Sequence, residues 1–166
     1  MEPLVDTVIE DPRWKATLPP LAETAARATL AALGLAADGY QIVVMGCDDA
    51  RIAALNDEFR DKGTPTNVLS WPSDDRAPDT PGAAPDLPEP GDADTPAELG
   101  DIAIAWETCA REAADQGKTM PDHVTHLIVH AVLHLLGYDH VDDADATLME
   151  ATEIRVLANL GVTNPY

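Results

Sequence analysis

Positive charge is scarce in this chain: ten lysines and arginines stand against thirty aspartates and glutamates, a net charge of −20. That deficit argues against broad electrostatic attraction to nucleic acid or to an anionic membrane. Cysteine is equally scarce. Cys47 and Cys109 alone cannot build a disulfide framework, and they fit a reducing compartment. Long hydrophobic runs are missing too. The longest, near Leu127 to Leu136, is interrupted by His130 and His134 and is too short to span a bilayer. The opening Met-Glu-Pro-Leu-Val-Asp lacks the basic and apolar regions of a signal peptide. A soluble, cytoplasmic protein without membrane association is expected. Histidine is absent everywhere except between His123 and His140, where all five fall.

What is present suits a globular protein. At 166 residues and 45% hydrophobic content, the chain is long enough to bury a core and short enough for one domain over 1–166. The negative charge is uneven. Between Ser73 and Glu98 eight acids face a single Arg76, amid proline, alanine and glycine. An acidic, loosely held or disordered surface loop is expected at about 73–98. Arg51, Arg60 and Lys62 instead cluster within a dozen residues, a local basic patch on an acidic body.

The patterning predicts strands over Leu4–Ile9, Tyr40–Met45, Asn67–Trp71 and Gly100–Ala105, the last central because it is apolar almost throughout. Helices are predicted over Leu21–Leu33 behind Pro19-Pro20, from Asp48 or Asp49 to Arg60, and over Trp106–Gln116, Pro121–Leu136 and Ala144–Leu160. Lys62-Gly63-Thr64-Pro65 reads as a turn. Four strands and five helices indicate an α+β (α/β-like) fold with one small mixed sheet. No internal repeat is apparent.

The histidines carry the chemistry. His130-Ala131-Val132-Leu133-His134-Leu135-Leu136-Gly137-Tyr138-Asp139-His140 places two imidazoles at i and i+4, one turn apart on a helix face. Gly137 can end that helix in a left-handed conformation and bring His140 back. His126 shares the stripe, but i to i+8 spans ~12 Å at ~1.5 Å per residue, while zinc–nitrogen bonds are ~2 Å. The geometry therefore selects His130, His134 and His140 for one metal ion, with a fourth position open. His126 and His123 are left as supporting, substrate-facing or structural residues. Packing or pH sensing is the bland reading of the same cluster.

Zinc held by three histidines is a Lewis acid that lowers the pKa of bound water to ~7. Zinc peptidases of the H-E-x-x-H type place a glutamate directly after the first histidine as general base; here that residue is Ala131. Proteolysis is therefore disfavoured, although the histidine spacing is that of a metzincin. Met149, where a methionine turn could fall, reads as core. Ribonucleotide cleavage has a different requirement. The substrate 2′-hydroxyl or a metal-bound water can serve as nucleophile, and positive charge is needed on the phosphate oxygens. Arg60 is the candidate for that charge; a solvated arginine at a helix end is the alternative. Asp139 either orients a ligand histidine or caps its turn. Asp101 is either a buried partner of the site or a solvated strand-edge acid. Cys109 reads as a small core residue.

Three blocks resemble one family. His126-Leu127-Ile128-Val129-His130 through His140 resembles the signature of the YbeY family of bacterial rRNA maturation factors. Asn56-Asp57-Glu58-Phe59-Arg60-Asp61-Lys62 with Pro65-Thr66-Asn67-Val68-Leu69-Ser70-Trp71-Pro72 resembles its second block, and Leu99-Gly100-Asp101-Ile102-Ala103-Ile104 its third. Their order agrees, and the likeness runs through nearly the whole chain. The resemblance implies a zinc-dependent, single-strand-specific endoribonuclease of 16S rRNA 3′-end maturation and ribosome quality control. It implies one Zn2+ on His130, His134 and His140, with Arg60 and His134 catalytic. Implied partners are ribosomal RNA and the small subunit, with ribosomal proteins or an assembly GTPase as further candidates. The chain departs from the family at Ala131, where glycine is usual, at Trp71, where phenylalanine is usual, and in the length of the acidic insertion. Two other readings stay open: an assembly factor whose metal is structural, closed by a fourth ligand such as Asp139 or Cys109, and another zinc metallohydrolase.

Overall fold

Buried residues alternate along most of the second strand and run unbroken through the last four residues of the fourth, and these two strands form the middle of the sheet. The computed structural model describes residues 3–60, 63–92 and 94–166, without the Arg60 side chain; Lys62 of the predicted turn lies outside the described residues. The strands are β1 (Val5–Ile9), β2 (Tyr40–Cys47), β3 (Val68–Pro72) and β4 (Ala97–Ala105). Their order is β1-β2-β4-β3. β1, β2 and β4 are parallel, and β3 runs antiparallel to β4 at the edge. The sheet is mixed, as predicted. From Ile102 to Ala105, β4 is apolar on both faces because both are covered. Ile102 and Ile104 enter the main core, while Ala103 and Ala105 pack with Ile52 and Leu55 on the other side.

Five helices follow the predicted order: α1 (Leu18–Ala32), α2 (Asp49–Arg60), α3 (Trp106–Gln116), α4 (Met120–Leu135) and α5 (Asp143–Asn159). α1 starts earlier than predicted because Pro19 and Pro20 lie inside its first turn, where a missing N–H leaves no intrahelical bond unmade. Asp48 Oδ1 accepts from the Arg51 N–H at 2.8 Å, the expected cap of α2. Thr119 caps α4 by accepting from the Asp122 N–H at 3.2 Å. β4 begins earlier than predicted, and its pairing with β2 skips one residue just before Gly100. Its φ is +142°, and a Cβ there would lie 2.2 Å from the Trp71 carbonyl oxygen.

The acidic segment between β3 and β4 contains no helix or strand among its described residues, and hydrogen bonds connect its backbone and Arg76 to the rest of the fold. The Tyr40 hydroxyl donates to Pro88 O at 2.6 Å, and the Gly91 N–H donates to Gly39 O at 2.9 Å. The Gly82 N–H donates to Asp145 Oδ1 at 2.7 Å. Arg76 Nη1 donates to Leu135 O at 2.9 Å and to Leu99 O at 3.3 Å. These partners lie far away in sequence, so local composition cannot announce them. Arg76 in particular satisfies a carbonyl left free at the C-terminal end of α4.

Gly137 is the hinge of this junction. The Gly137 N–H donates to His134 O at 3.1 Å and the Tyr138 N–H to Leu133 O at 3.0 Å, a Schellman stop for α4. Its φ is +104°, and an added Cβ would sit 2.4 Å from Arg76 O. Gly137→Ala is therefore expected to cost more than the ~1–2 kcal/mol of the left-handed backbone alone. Urea unfolding measures that loss. Limited proteolysis should show cutting near Arg76 that is slow in the wild type; unchanged stability and an unchanged cleavage pattern would contradict the packing described.

Candidate metal and nuclease site

α4 brings its polar stripe to one wall of a cleft of ≈1150 Å³, with β3, the start of the acidic loop and the turn after α4 as the others. His130 and His134 sit one turn apart on that stripe. The Schellman stop returns the chain so that His140 closes the group. Ring centroids are 4.6 Å apart for His130 and His134, 5.4 Å for His130 and His140, and 5.0 Å for His134 and His140. One nitrogen from each ring lies within 4.8 Å of the other two. Among the described residues, no other His, Cys, Asp or Glu joins the three. The sequence-derived trio is thus brought together by the fold.

The protonation pattern around the trio follows from its partners. Glu153, fully buried, accepts from His126 Nε2 at 2.9 Å and from His130 Nδ1 at 3.2 Å. Burial raises the pKa of this carboxyl, but the hydrogen bonds from His126 and His130 outweigh it and hold the group down to about 2. An ionised carboxylate only accepts, so His130 turns an Nδ1–H to Glu153 and leaves Nε2 as the ring nitrogen facing His134. That Nε2 stands 3.1 Å from His134 Nε2. Two ligands on a tetrahedral zinc, each ~2.0–2.1 Å from it, stand roughly 3.3 Å apart. Burial, then the neighbouring His130 and His140, push His134 down to about 4, so its imidazole is neutral near pH 7, the form that ligates. The donor set and its spacing fit a metal.

The other sequence candidates separate cleanly. His123 is buried, with Nε2 2.9 Å from Glu112 Oε1, and is a core residue. His126 lines the cleft and shares Glu153 with His130. Asp139 Oδ1 accepts from the His140 backbone N–H at 2.7 Å, while the His140 ring nitrogen is 4.0 Å away; it shapes the turn. Asp101 is exposed and outside the cleft. Cys109 and Met149 are buried, and the Cys109 thiol points to Asn67 O at 3.8 Å. Arg60 ends α2, and its side chain lies outside the described residues.

Residues 9–161 match the family model described as "Endoribonuclease YbeY". The chain belongs to the YbeY family. An "Endoribonuclease YbeY" of Cereibacter sphaeroides is 68% identical over 167 residues, covering 100% of both chains. One of Ruegeria pomeroyi is 60% identical over 162 residues, covering 98% of this chain and 97% of its own. The solution structure of TM1509 from Thermotoga maritima superposes with a TM-score of 0.56 at 17% identity, covering 95% of this chain and 91% of that one. That last likeness concerns the fold alone. The YbeY family is metal-dependent, and the histidine triad is the group of described residues able to hold the ion. No described helix is long and apolar enough to cross a membrane.

Sequence reasoning missed Glu153 and Tyr166. The Tyr166 hydroxyl donates to the same carboxylate, at 3.0 Å from Oε1 and 3.1 Å from Oε2. Burial and Glu153 both raise the pKa of this phenol, which keeps it a donor. A signal for Glu153 existed: α5 buries Met149, Thr152, Val156 and Leu157, and an acid inside that stripe requires partners.

Proposed function

We propose that this YbeY-family endoribonuclease cuts single-stranded RNA in the cleft between α4 and β3, holding one Zn2+ on His130, His134 and His140. Its setting is 16S rRNA 3′-end maturation and ribosome quality control in the cytoplasm. Ribosomal RNA and the small subunit are its partners, with ribosomal proteins or an assembly GTPase guiding it. The observation that carries the reading is the convergence of three ring nitrogens within 4.8 Å at the cleft wall. When bound, the ion supplies Lewis acidity and a lowered pKa for water in its open position.

The chain's own groups do the rest. Glu153 fixes the His130 tautomer. Arg60 places a guanidinium on the phosphate oxygens, where its planar fork can hold two of them. Phe59 packs edge-on against Trp71 at 5.7 Å, and that contact sets the last turn of α2 beside β3, a strand of the cleft wall. No glutamate follows His130, and Ala131 is buried there, so the general base of a zinc peptidase is missing. The absence of a fourth described side chain at the triad supports an open, catalytic position over a closed structural one.

Metal analysis alongside RNA cleavage tests this. One equivalent of zinc per chain is expected. Chelation should remove cleavage of a single-stranded oligoribonucleotide, and stoichiometric zinc should restore it. Full cleavage by protein shown to be metal-free would overturn the reading.

A further inference from the structure

Tyrosine in a folded protein usually buries its ring and leaves its hydroxyl near water. Tyr166 does the reverse. Its hydroxyl is bonded to both oxygens of the fully buried Glu153, while the residue is 58% exposed on the rim of the histidine cleft. Its ring stands edge-on to His126, at 5.7 Å and 86°. His126 in turn stands 6.3 Å from His130. A tether at the phenol end and a perpendicular neighbour fix the plane of the ring without covering both faces.

The charge of the molecule says why such a ring would matter. With a net charge of −20, general attraction to phosphates is weak, so RNA affinity must come from elsewhere. Arg76, the one basic residue among the described lining of the cleft, is occupied by backbone carbonyls. Stacking of unpaired bases on aromatic rings needs no phosphate contact and selects single strands, whose bases are free to splay.

We infer that Tyr166 is a stacking platform for an unpaired nucleobase beside the scissile phosphate, held in place by Glu153. The inference rests on the endoribonuclease reading and adds a subsite to it. The test is fluorescence anisotropy of zinc-loaded protein with a labelled, non-cleavable single-stranded 2′-O-methyl oligonucleotide, read for wild type, Tyr166→Leu and Tyr166→Trp. Tyr166→Leu should weaken binding roughly 5- to 100-fold, and Tyr166→Trp should restore it to within about threefold. Adenine-rich oligonucleotides should lose more than uridine-rich ones, and an abasic oligonucleotide should bind the leucine variant and the wild type alike. Thermal unfolding of each variant reports folding separately. Equal binding by leucine variant and wild type, while the wild type cleaves RNA, overturns the platform alone. Equal loss in the leucine and tryptophan variants, with the tryptophan variant folded as stably as wild type, overturns it too, because an aromatic face at this position would then contribute nothing. A zinc-loaded wild type that neither binds nor cleaves single-stranded RNA overturns the nuclease reading and the platform with it.

Discussion

His134→Ala is expected to abolish RNA cleavage and metal binding together, whereas Arg60→Ala should abolish cleavage with zinc still bound. The two losses differ in kind. His134 stands centrally in the trio: its ring is 4.6 Å from His130 and 5.0 Å from His140. Without it, two imidazoles remain, one of them on a largely exposed turn. A Lewis acid stabilises transition-state charge by several kcal/mol, and each ~1.4 kcal/mol is tenfold in rate. Activity should therefore fall by about a thousandfold or more, and zinc content should fall from one equivalent towards none. Arg60 ends a helix outside the trio, so its removal leaves the three nitrogens untouched. The loss there is of charge on the phosphate oxygens, and the zinc content should stay at one. Plasma emission spectroscopy on the same samples used for cleavage assays separates the cases. An Arg60→Ala protein that retains full cleavage would remove arginine from the mechanism. A His134→Ala protein with undiminished zinc would remove the trio.

The sequence showed the trio because its determinants are local. A helix period, one glycine and the reach of a metal–nitrogen bond select His130, His134 and His140 without any tertiary information. Helix α3 was legible end to end for a similar reason, since Trp106 follows a β-strand and Gly117 closes the helix with φ +66°. Features set by distant partners were not legible. Glu153 is one of thirty acids until α4 packs on α5 and two histidines, 23 and 27 residues away, reach it. The acidic segment reads as unstructured by composition, yet Tyr40, Gly39, Asp145 and Leu135 hold it through bonds to its backbone and to Arg76. Phe59 shares a face of α2 with Ile52 and Leu55 at helical spacing. It is nevertheless 58% exposed, with its ring edge-on to Trp71, so helical spacing alone did not tell which positions of the stripe are buried.

Glu153 should prove the most sensitive residue outside the trio, in both stability and metal affinity. Its carboxylate is the common acceptor for His126, His130 and Tyr166. Glu153→Leu fills much the same space and strands three donors, two of them on partly buried histidines. Leaving a donor without its acceptor costs about 1–3 kcal/mol where the donor is buried, a sizeable part of a typical domain's stability. Glu153→Gln keeps shape and some acceptor capacity but presents an amide N–H where an acceptor is required. His130 then loses the partner that fixes its Nδ1 proton, and metal affinity should fall by roughly 10- to 100-fold. Competition with a chromophoric chelator reads that change directly, without any cleavage assay. The pH dependence has a definite sign. The folded carboxyl is held down to about 2 from an ordinary 4.5, so its contribution is complete above about pH 4.5 and is lost as pH falls toward 2. The stability gap between wild type and Glu153→Leu should therefore be widest near neutral pH and narrow on acidification. A gap that stays constant across that range would mean that the variant loses packing alone, and that the carboxylate's charge does not orient the histidine.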